Sequence, residues 1–231
     1  RGFEGLDVRV ISCRPFWIRR RNPLKIFSSN RIFKQQLAAV KWTEHDSVPV
    51  LYPPYRIIYP LSFWSHAWLY RASVMRIIDD VWKDFKFDMV HAHTAYLDGV
   101  AALAVSKRFK VPLAITEHTG PFTHLTGRPI VRQLTLKSIA KADMVWCVSD
   151  SLCREVRSYF PERKQEHIGV LYNGVDTSIF NTSEYWNPNP AAPRILNVAS
   201  IDRNKNPLML LDAFARLKKQ VPGATLAYVG T

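Results

Sequence analysis

The stretch "PLAITEHTG", Pro112–Gly120, opens as an unbroken apolar run and then delivers a glutamate, a histidine and, after one threonine, a glycine. An apolar run without alternation is the pattern of a strand buried on both faces, as strands of a parallel sheet are when helices cover them. The polar residues at its end mark where such a strand emerges. In open parallel sheets, loops and helix N-termini converge beyond the carboxyl ends of the strands, and ligands bind there. Glu117, His118, Thr119 and Gly120 are therefore candidate cleft residues, with His118 the candidate for chemistry. Taken alone, His118 fits a hydrogen bond to a neighbouring loop as well as it fits catalysis, and Glu117, ranked below it, could instead hydrogen-bond a loop. The glycines at 120 and 127 would let the following loop approach a ligand closely.

Similar runs lie on either side of this one: "LDVRVIS" (6–12), "DMVHAH" (88–93), "DMVWCVS" (143–149) and "HIGVLYN" (167–173). Between them, "LDGVAALAVSKRF" (97–109) and "RPIVRQLTLKSIAKA" (128–142) carry apolar residues three and four apart, with cations toward their C-terminal ends, where the helix dipole favours them. Strand and helix alternate, so the fold class is α/β with a parallel sheet and helices on both faces. Met144 to Val148, all apolar, read as another strand buried on both sides.

From Asn173 to Pro193 the pattern stops and Asn, Pro, Ser and Thr accumulate, with Asn173 and Gly174 suited to a sharp turn and a hinge. A fresh unit then starts with strand "RILNVAS" (194–200), loop "IDRNKN" (201–206) and a helix opening at Pro207 behind Asn206 as N-cap. Its apolar stripe is Leu210, Leu211, Phe214, Leu217 and Val221; Pro222 and Gly223 end it, and "ATLAYV" (224–229) is the next strand. The expected organisation is a first domain over 1–180, a linker over 181–193 and the start of a second domain over 194–231. Beginning at Arg1 and closing on "LAYVGT", the chain reads as a fragment whose first domain lacks its first strand and whose second is cut short.

Composition bounds the function. With 231 residues, 47% of them hydrophobic and 22% charged, the chain can bury a real core. Its longest apolar runs fall far short of the ~20 residues of a membrane helix. No charged-then-apolar leader opens it, and Cys13, Cys147 and Cys153 are scattered as in a reducing compartment, so a cytoplasmic protein is expected. The net charge is +13, and residues 1–41 carry 10 Lys and Arg against 2 Asp and Glu. There, "RPFWIRRRNPLKIF" (14–27) mixes cations with Phe16, Trp17, Ile18 and Phe27, which suits an anionic membrane surface and a peripheral position on the inner face of the cell membrane. A solvated basic loop is the plainer alternative. The aromatic stretch "YPPYRIIYPLSFWSHAWLY" (52–70) would line an acceptor groove or serve as ordinary core. Basic charge with aromatics also suits single-stranded nucleic acid, but no standard reader motif accompanies it, and nucleic acid is not the expected partner.

Two histidines at 91 and 93 share one face of a strand, yet two ligands do not fill a metal's coordination sphere and no carboxylate completes them at motif spacing, so no metal is expected. His93 is assigned to the cleft and His91 to structure. Neither the dinucleotide nor the P-loop glycine fingerprint occurs. The loop "SIDRNKNP" (200–207) offers another route to phosphate, since Arg203 and Lys205 directly precede a helix N-terminus with free backbone N–H groups.

The series "DMVHAH", "ITEHTG", "VLYNGVDTSIF" and "ILNVASIDRNKNPLMLLDAFARLKKQVPGATLAYVG" resembles the family 4-like glycosyltransferases of GT-B fold, over residues from about Asp88 to the end of the chain. The resemblance implies two Rossmann-like domains facing a cleft and transfer of a sugar from a nucleotide-sugar donor, with retention and without a metal or other cofactor. It implies a saccharide or lipid-linked acceptor and a place in cell-envelope or exopolysaccharide assembly. Lys205 matches the family's phosphate-binding lysine. The arginine usual after the preceding strand is Ser200 here, and Arg203 is placed to compensate. His118 matches the histidine held against the transferred sugar, while Asn173 and Gly174 set the hinge. The resemblance also implies that the nucleotide is held mainly by residues after Thr231, so this fragment by itself would be inactive. A nucleotide-sugar epimerase of the same fold, or a non-catalytic basic module binding membrane or nucleic acid, are the alternatives.

Overall fold

The structure, a computed structural model, describes residues 5–19, 23–59, 62–162, 165–181 and 189–230. Arg20 and Arg21 of the basic segment, and residues 182–188 of the expected linker, lie outside these. The chain divides into two compact units, Arg1–Asn173 and Gly174–Thr231.

In the first unit the elements run β1 (Val10–Ile11), β2 (Arg14–Arg19), α1 (Pro23–Ala38), β3 (Thr43–His45), β4 (Val48–Leu51), β5 (Pro54–Tyr59), α2 (Ser62–Asp84), β6 (Val90–His93), α3 (Leu97–Phe109), β7 (Leu113–Glu117), α4 (Thr123–Thr126), α5 (Pro129–Lys141), β8 (Met144–Cys147), α6 (Asp150–Ser158) and β9 (Ile168–Val170), the last preceded by a 3-10 turn at Gln165–His167. The sheet that matters for function is β6-β7-β8-β9, parallel throughout. All five residues of β7 are buried, as its unbroken apolar run predicts. The strand lies between β6 and β8, so its carboxyl end opens in the middle of the edge where His93, Glu117, Cys147 and Val170 finish.

Two expectations are corrected by the structure. Where "LDVRVIS" suggests one strand, only Val10 and Ile11 form β1, and the chain continues as β2. The break faces Pro53 and Pro54, which donate no N–H; Ser12 and Arg14 still donate to Leu51 O and Pro53 O, both at 2.9 Å. β8 is buried on one face and half-buried on the other. Trp146 lays its ring against Gly169 of β9, where any Cβ would come within 2.7 Å of it, and one ring only partly covers that face. In the aromatic stretch the ordinary-core alternative holds for Tyr55, Ile57 and Tyr70, packed with Leu51, Val74, Ile78, Val81, Ala101 and Val105, and Ala67 is buried as well.

A second apolar cluster fills the space around the four-stranded sheet, with Leu113, Ile115, Ile139, Val145, Val156 and Ile168 at its centre. Helix α3 reaches it through Gly99, whose missing side chain lets the helix sit against α5. A Cβ there would lie 3.1 Å from the Thr94 carbonyl oxygen and 3.3 Å from Ser138 Cβ.

The second unit is a strand–helix–strand: β10 (Arg194–Val198), α7 (Pro207–Gln220) and β11 (Thr225–Val229), the strands parallel and paired from Arg194↔Thr225 to Val198↔Val229. Asn206 caps α7 as its sequence predicts, its side chain accepting from Met209 N. Leu210, Phe214, Leu217 and Val221 are half-buried in a row. Leu211 departs from the expected stripe and is 52% exposed, because one residue further along a helix turns a side chain by about 100°.

Candidate functional site

At the mouth of β7 the chain places an acid inside and an imidazole outside. Glu117 is 0% exposed. Its Oε1 accepts from the backbone N–H of His118 at 2.9 Å and of Thr119 at 2.7 Å, and its Oε2 from Ala95 N at 2.7 Å. A buried carboxylate needs such donors, and here they are the loop amides themselves. Glu117 thus ties the loop after β7 to the loop after β6.

The loop after β6 is held just as closely. Thr94 takes the left-handed value φ 90°, a conformation that needs support in a non-glycine residue. Its N–H donates to Thr116 O at 2.7 Å, and its carbonyl accepts from Gly99 N at 3.0 Å.

His118 projects from this frame and is exposed. Its Nε2 lies 3.0 Å from Nδ1 of His93, the last residue of β6, and the two rings stack with centroids 5.2 Å apart. His91, two residues earlier on the same face, bonds Thr116 Oγ1 at 2.8 Å and lies 4.7 Å from the His93 ring. Burial, and then the neighbouring His93 and His118, push the His91 imidazole below its usual pKa. Among the described residues no group of three His, Cys, Asp or Glu could hold a metal ion.

Thr119 and Gly120 follow on the rim. A Cβ at Gly120 would meet nothing within 4 Å, so the fold does not demand a glycine there. Gly127 instead closes α4: its N–H donates to Thr123 O, and a Cβ would come within 2.9 Å of that oxygen. Sequence reasoning missed the support behind His93. Asp98, in the first turn of α3, accepts from the Tyr70 hydroxyl and, at 3.4 Å, from Thr94 Oγ1. Burial raises its pKa, against the pull of those bonds and of His93. Beside it, burial drives the Cys13 thiol up to about 12. His66, stacked on Tyr55 and bonded to its hydroxyl at 3.0 Å, completes a polar seam. The aspartate in "LDGVAAL", Asp98, is the one signal that pointed there.

In the second unit, the loop after β10 is organised by Asp202, a residue the sequence did not single out. Its carboxylate accepts from the Ser200 hydroxyl at 2.5 Å, Asn204 N at 2.8 Å and Lys205 N at 3.0 Å, which draws its pKa below the usual value. Ser200 is therefore engaged within the loop, and its carbonyl accepts from Tyr228. Arg203 and Lys205 are exposed just ahead of α7. Asn173 and Gly174 fall at the division between the units.

The family model described as Glycosyltransferase Family 4 matches residues 4–179. No curated protein matches the chain. Among solved structures, HepE of Anabaena, in complex with UDP and glucose, is similar at 16% identity and a TM-score of 0.51, over 87% of this chain and 50% of its own. S. aureus MnaA with UDP aligns at 15% identity and a TM-score of 0.46, over 97% of this chain. The UDP-GlcNAc 2-epimerase of Neisseria meningitidis bound to UDP-GlcNAc aligns at 11% identity and 0.45, also over 97% of this chain. The chain spans 62% and 66% of the length of the latter two. The fold is α/β and of GT-B type.

Proposed function

This chain belongs to glycosyltransferase family 4, and from that premise we propose that the whole protein moves a sugar from a nucleotide-sugar donor to a saccharide or lipid-linked acceptor with retention, in envelope or exopolysaccharide assembly at the cytoplasmic side of the membrane. The observation that carries the reading is the placement of His118, exposed at the end of the buried central strand while its own amide is clamped to Glu117.

The chemistry asks for this division of labour. As the bond between the anomeric carbon and the diphosphate oxygen breaks, the electron pair leaves with the diphosphate and positive charge grows on the sugar. The acceptor hydroxyl then bonds to that carbon and passes its proton to the departing diphosphate oxygen. Fixed cations and backbone dipoles stabilise the departing charge in the absence of a metal between the phosphates. Lys205 and the amides opening α7 suit that role, with Arg203 beside them taking the part of the arginine that Ser200 replaces. His118 orients the sugar and faces its growing positive charge.

The test uses the full-length protein with a panel of UDP-, GDP- and ADP-sugars, UDP-glucose first. His118→Ala should lower kcat about a hundredfold or more with donor affinity retained. Lys205→Ala and Arg203→Ala should each weaken donor binding. Products should be a free nucleoside diphosphate and a glycosylated acceptor. Near-normal turnover in His118→Ala, or an epimerised nucleotide sugar formed without acceptor, would sink the reading.

A further inference from the structure

The loop that carries His118 is fastened at its far end as well as at its start. It runs from the end of β7 to Phe122, and Glu117 holds its first amides, those of His118 and Thr119. At the other end the N–H of Phe122 donates to Oε2 of Glu155 at 2.7 Å, from a helix 33 residues further along the chain. Phe122 is buried, and a buried amide needs such an acceptor. Its ring lies edge-on to Tyr159 at the end of α6, with centroids 5.6 Å apart. Its carbonyl accepts from Leu125 N and Thr126 N. Glu155 has a fixed base, since Leu152 and Val156 seat α6 in the core around the sheet.

Between the two carboxylates, Gly120 and Pro121 are exposed and Thr119 is half-buried. A segment this short, tied at both ends, keeps few conformations, so its ordering belongs to folding and not to ligand binding. The two holds on Phe122 differ in kind. Burial of the ring sets where the side chain sits, whereas the charge-assisted bond to the amide sets the direction in which the chain arrives from Pro121.

We propose that Glu155 is a positioning residue: through the Phe122 amide it fixes the far end of the His118 loop, and with Glu117 it keeps that loop a preformed wall at the mouth of β7 rather than a lid that orders on binding. The consequence for transfer rests on the reading of His118 as the residue facing the sugar. The strap itself does not depend on that reading.

Amide hydrogen exchange in the full-length protein reads the strap without substrate. Glu155→Ala, and Glu155→Met, which keeps the bulk but offers no oxygen, should each speed exchange at Phe122 about ten- to a hundredfold while β7 stays protected. Glu155→Gln still presents an accepting carbonyl and should hold exchange within about threefold of the unmodified protein. With whichever of the UDP-, GDP- and ADP-sugars turns over, Ala and Met should lower kcat per folded enzyme about tenfold or more with donor KM within about twofold, and Gln should recover most of the loss. Referring kcat to folded enzyme removes the effect of a merely destabilised protein, which would not split kcat from KM. Phe122 exchange indifferent to Glu155 overturns the proposal, because the buried ring alone then holds the loop. Faster exchange with unchanged kcat in an enzyme that turns over also overturns it. Faster exchange in a protein that consumes no nucleotide sugar upholds the strap and removes the transferase reading.

Discussion

Glu117 carries a larger share of the site than its place in the sequence suggests. That it sits at a strand mouth and could bond a loop is legible from "AITEH"; that it joins two loops is not, because Ala95 N, one of its donors, lies 22 residues upstream. The Tyr70–Asp98 pair, 28 residues apart, is hidden for the same reason. Replacing Glu117 by Ala strands the buried Ala95 amide and takes the partner from two part-buried amides, and a buried donor left without a partner costs about 1–3 kcal/mol. Glu117→Ala should therefore lose about 1–3 kcal/mol in urea unfolding, with Gln intermediate since it keeps one accepting oxygen; a loss under about 0.5 kcal/mol would refute the clamp. The histidines give a second prediction at this scale. His66 and His91 are both held below the ordinary value of 6.5, chiefly by burial. A folded pKa below the unfolded one means that the unfolded state binds more protons in between. The associated stability is full above 6.5 and is lost as pH falls through the depressed folded values. The urea midpoint should drop as pH is lowered from 7.5 to 5.5 (about two units spanning the ordinary imidazole range), and His91→Gln should lessen that drop.

At the scale of elements, reading was best where one strand or helix decides its own structure. β7, α3, α5 and α7 follow from local period and caps, and the parallel order β6-β7-β8-β9 follows from their alternation. Reading was poorer before residue 85, where structure depends on pairing between distant segments: β2 with β5, β1 with β4. Nothing in "RPFWIRR" or "PYRIIY" taken singly announces the other. The aromatics there were legible as a cluster, with groove and core both open, and the packing of α2 with β5 puts Tyr55, Ile57 and Tyr70 in the core. Helix α7 allows a test of local control. Asn206 is both its N-cap and a left-handed residue, at φ 47°, so Asn206→Ala loses the side-chain acceptor and adds backbone strain, whereas Asn206→Gly loses only the first. Ala should cost about 1–2 kcal/mol and Gly only a few tenths. Amide exchange of the first turn of α7 and urea unfolding measure both, and equal costs would mean that backbone strain plays no part.

Across the whole molecule the +13 charge is concentrated toward the N-terminal end, and the structure separates its structural share from what is left for a partner. Arg14 lies 4.1 Å over the Tyr52 ring, Arg56 4.2 Å over Phe33, and Arg9 4.4 Å over Phe85. Such seats account for part of the mixture of cations and rings by cation–π packing alone. Phe16 packs edge-on to Phe33, and Ile18 is buried. Trp17, between them on β2, is 63% exposed. No helix among the described residues is long and apolar enough to cross a membrane. The proposed contact with an anionic lipid surface rests on surface charge and on exposed side chains such as this one. Long-range attraction between exposed charges is screened within ~8 Å at physiological salt and ~3 Å at 1 M. Binding to vesicles containing anionic phospholipid, followed by co-sedimentation, should therefore fall steeply as salt rises and be weak on purely neutral vesicles. Trp17→Ala should lower the residue of binding that survives high salt, because a ring at headgroup depth contributes area rather than charge. Equal binding to neutral and anionic vesicles, or binding indifferent to salt, would remove the electrostatic surface and leave the basic N-terminal end as packing and solvated charge.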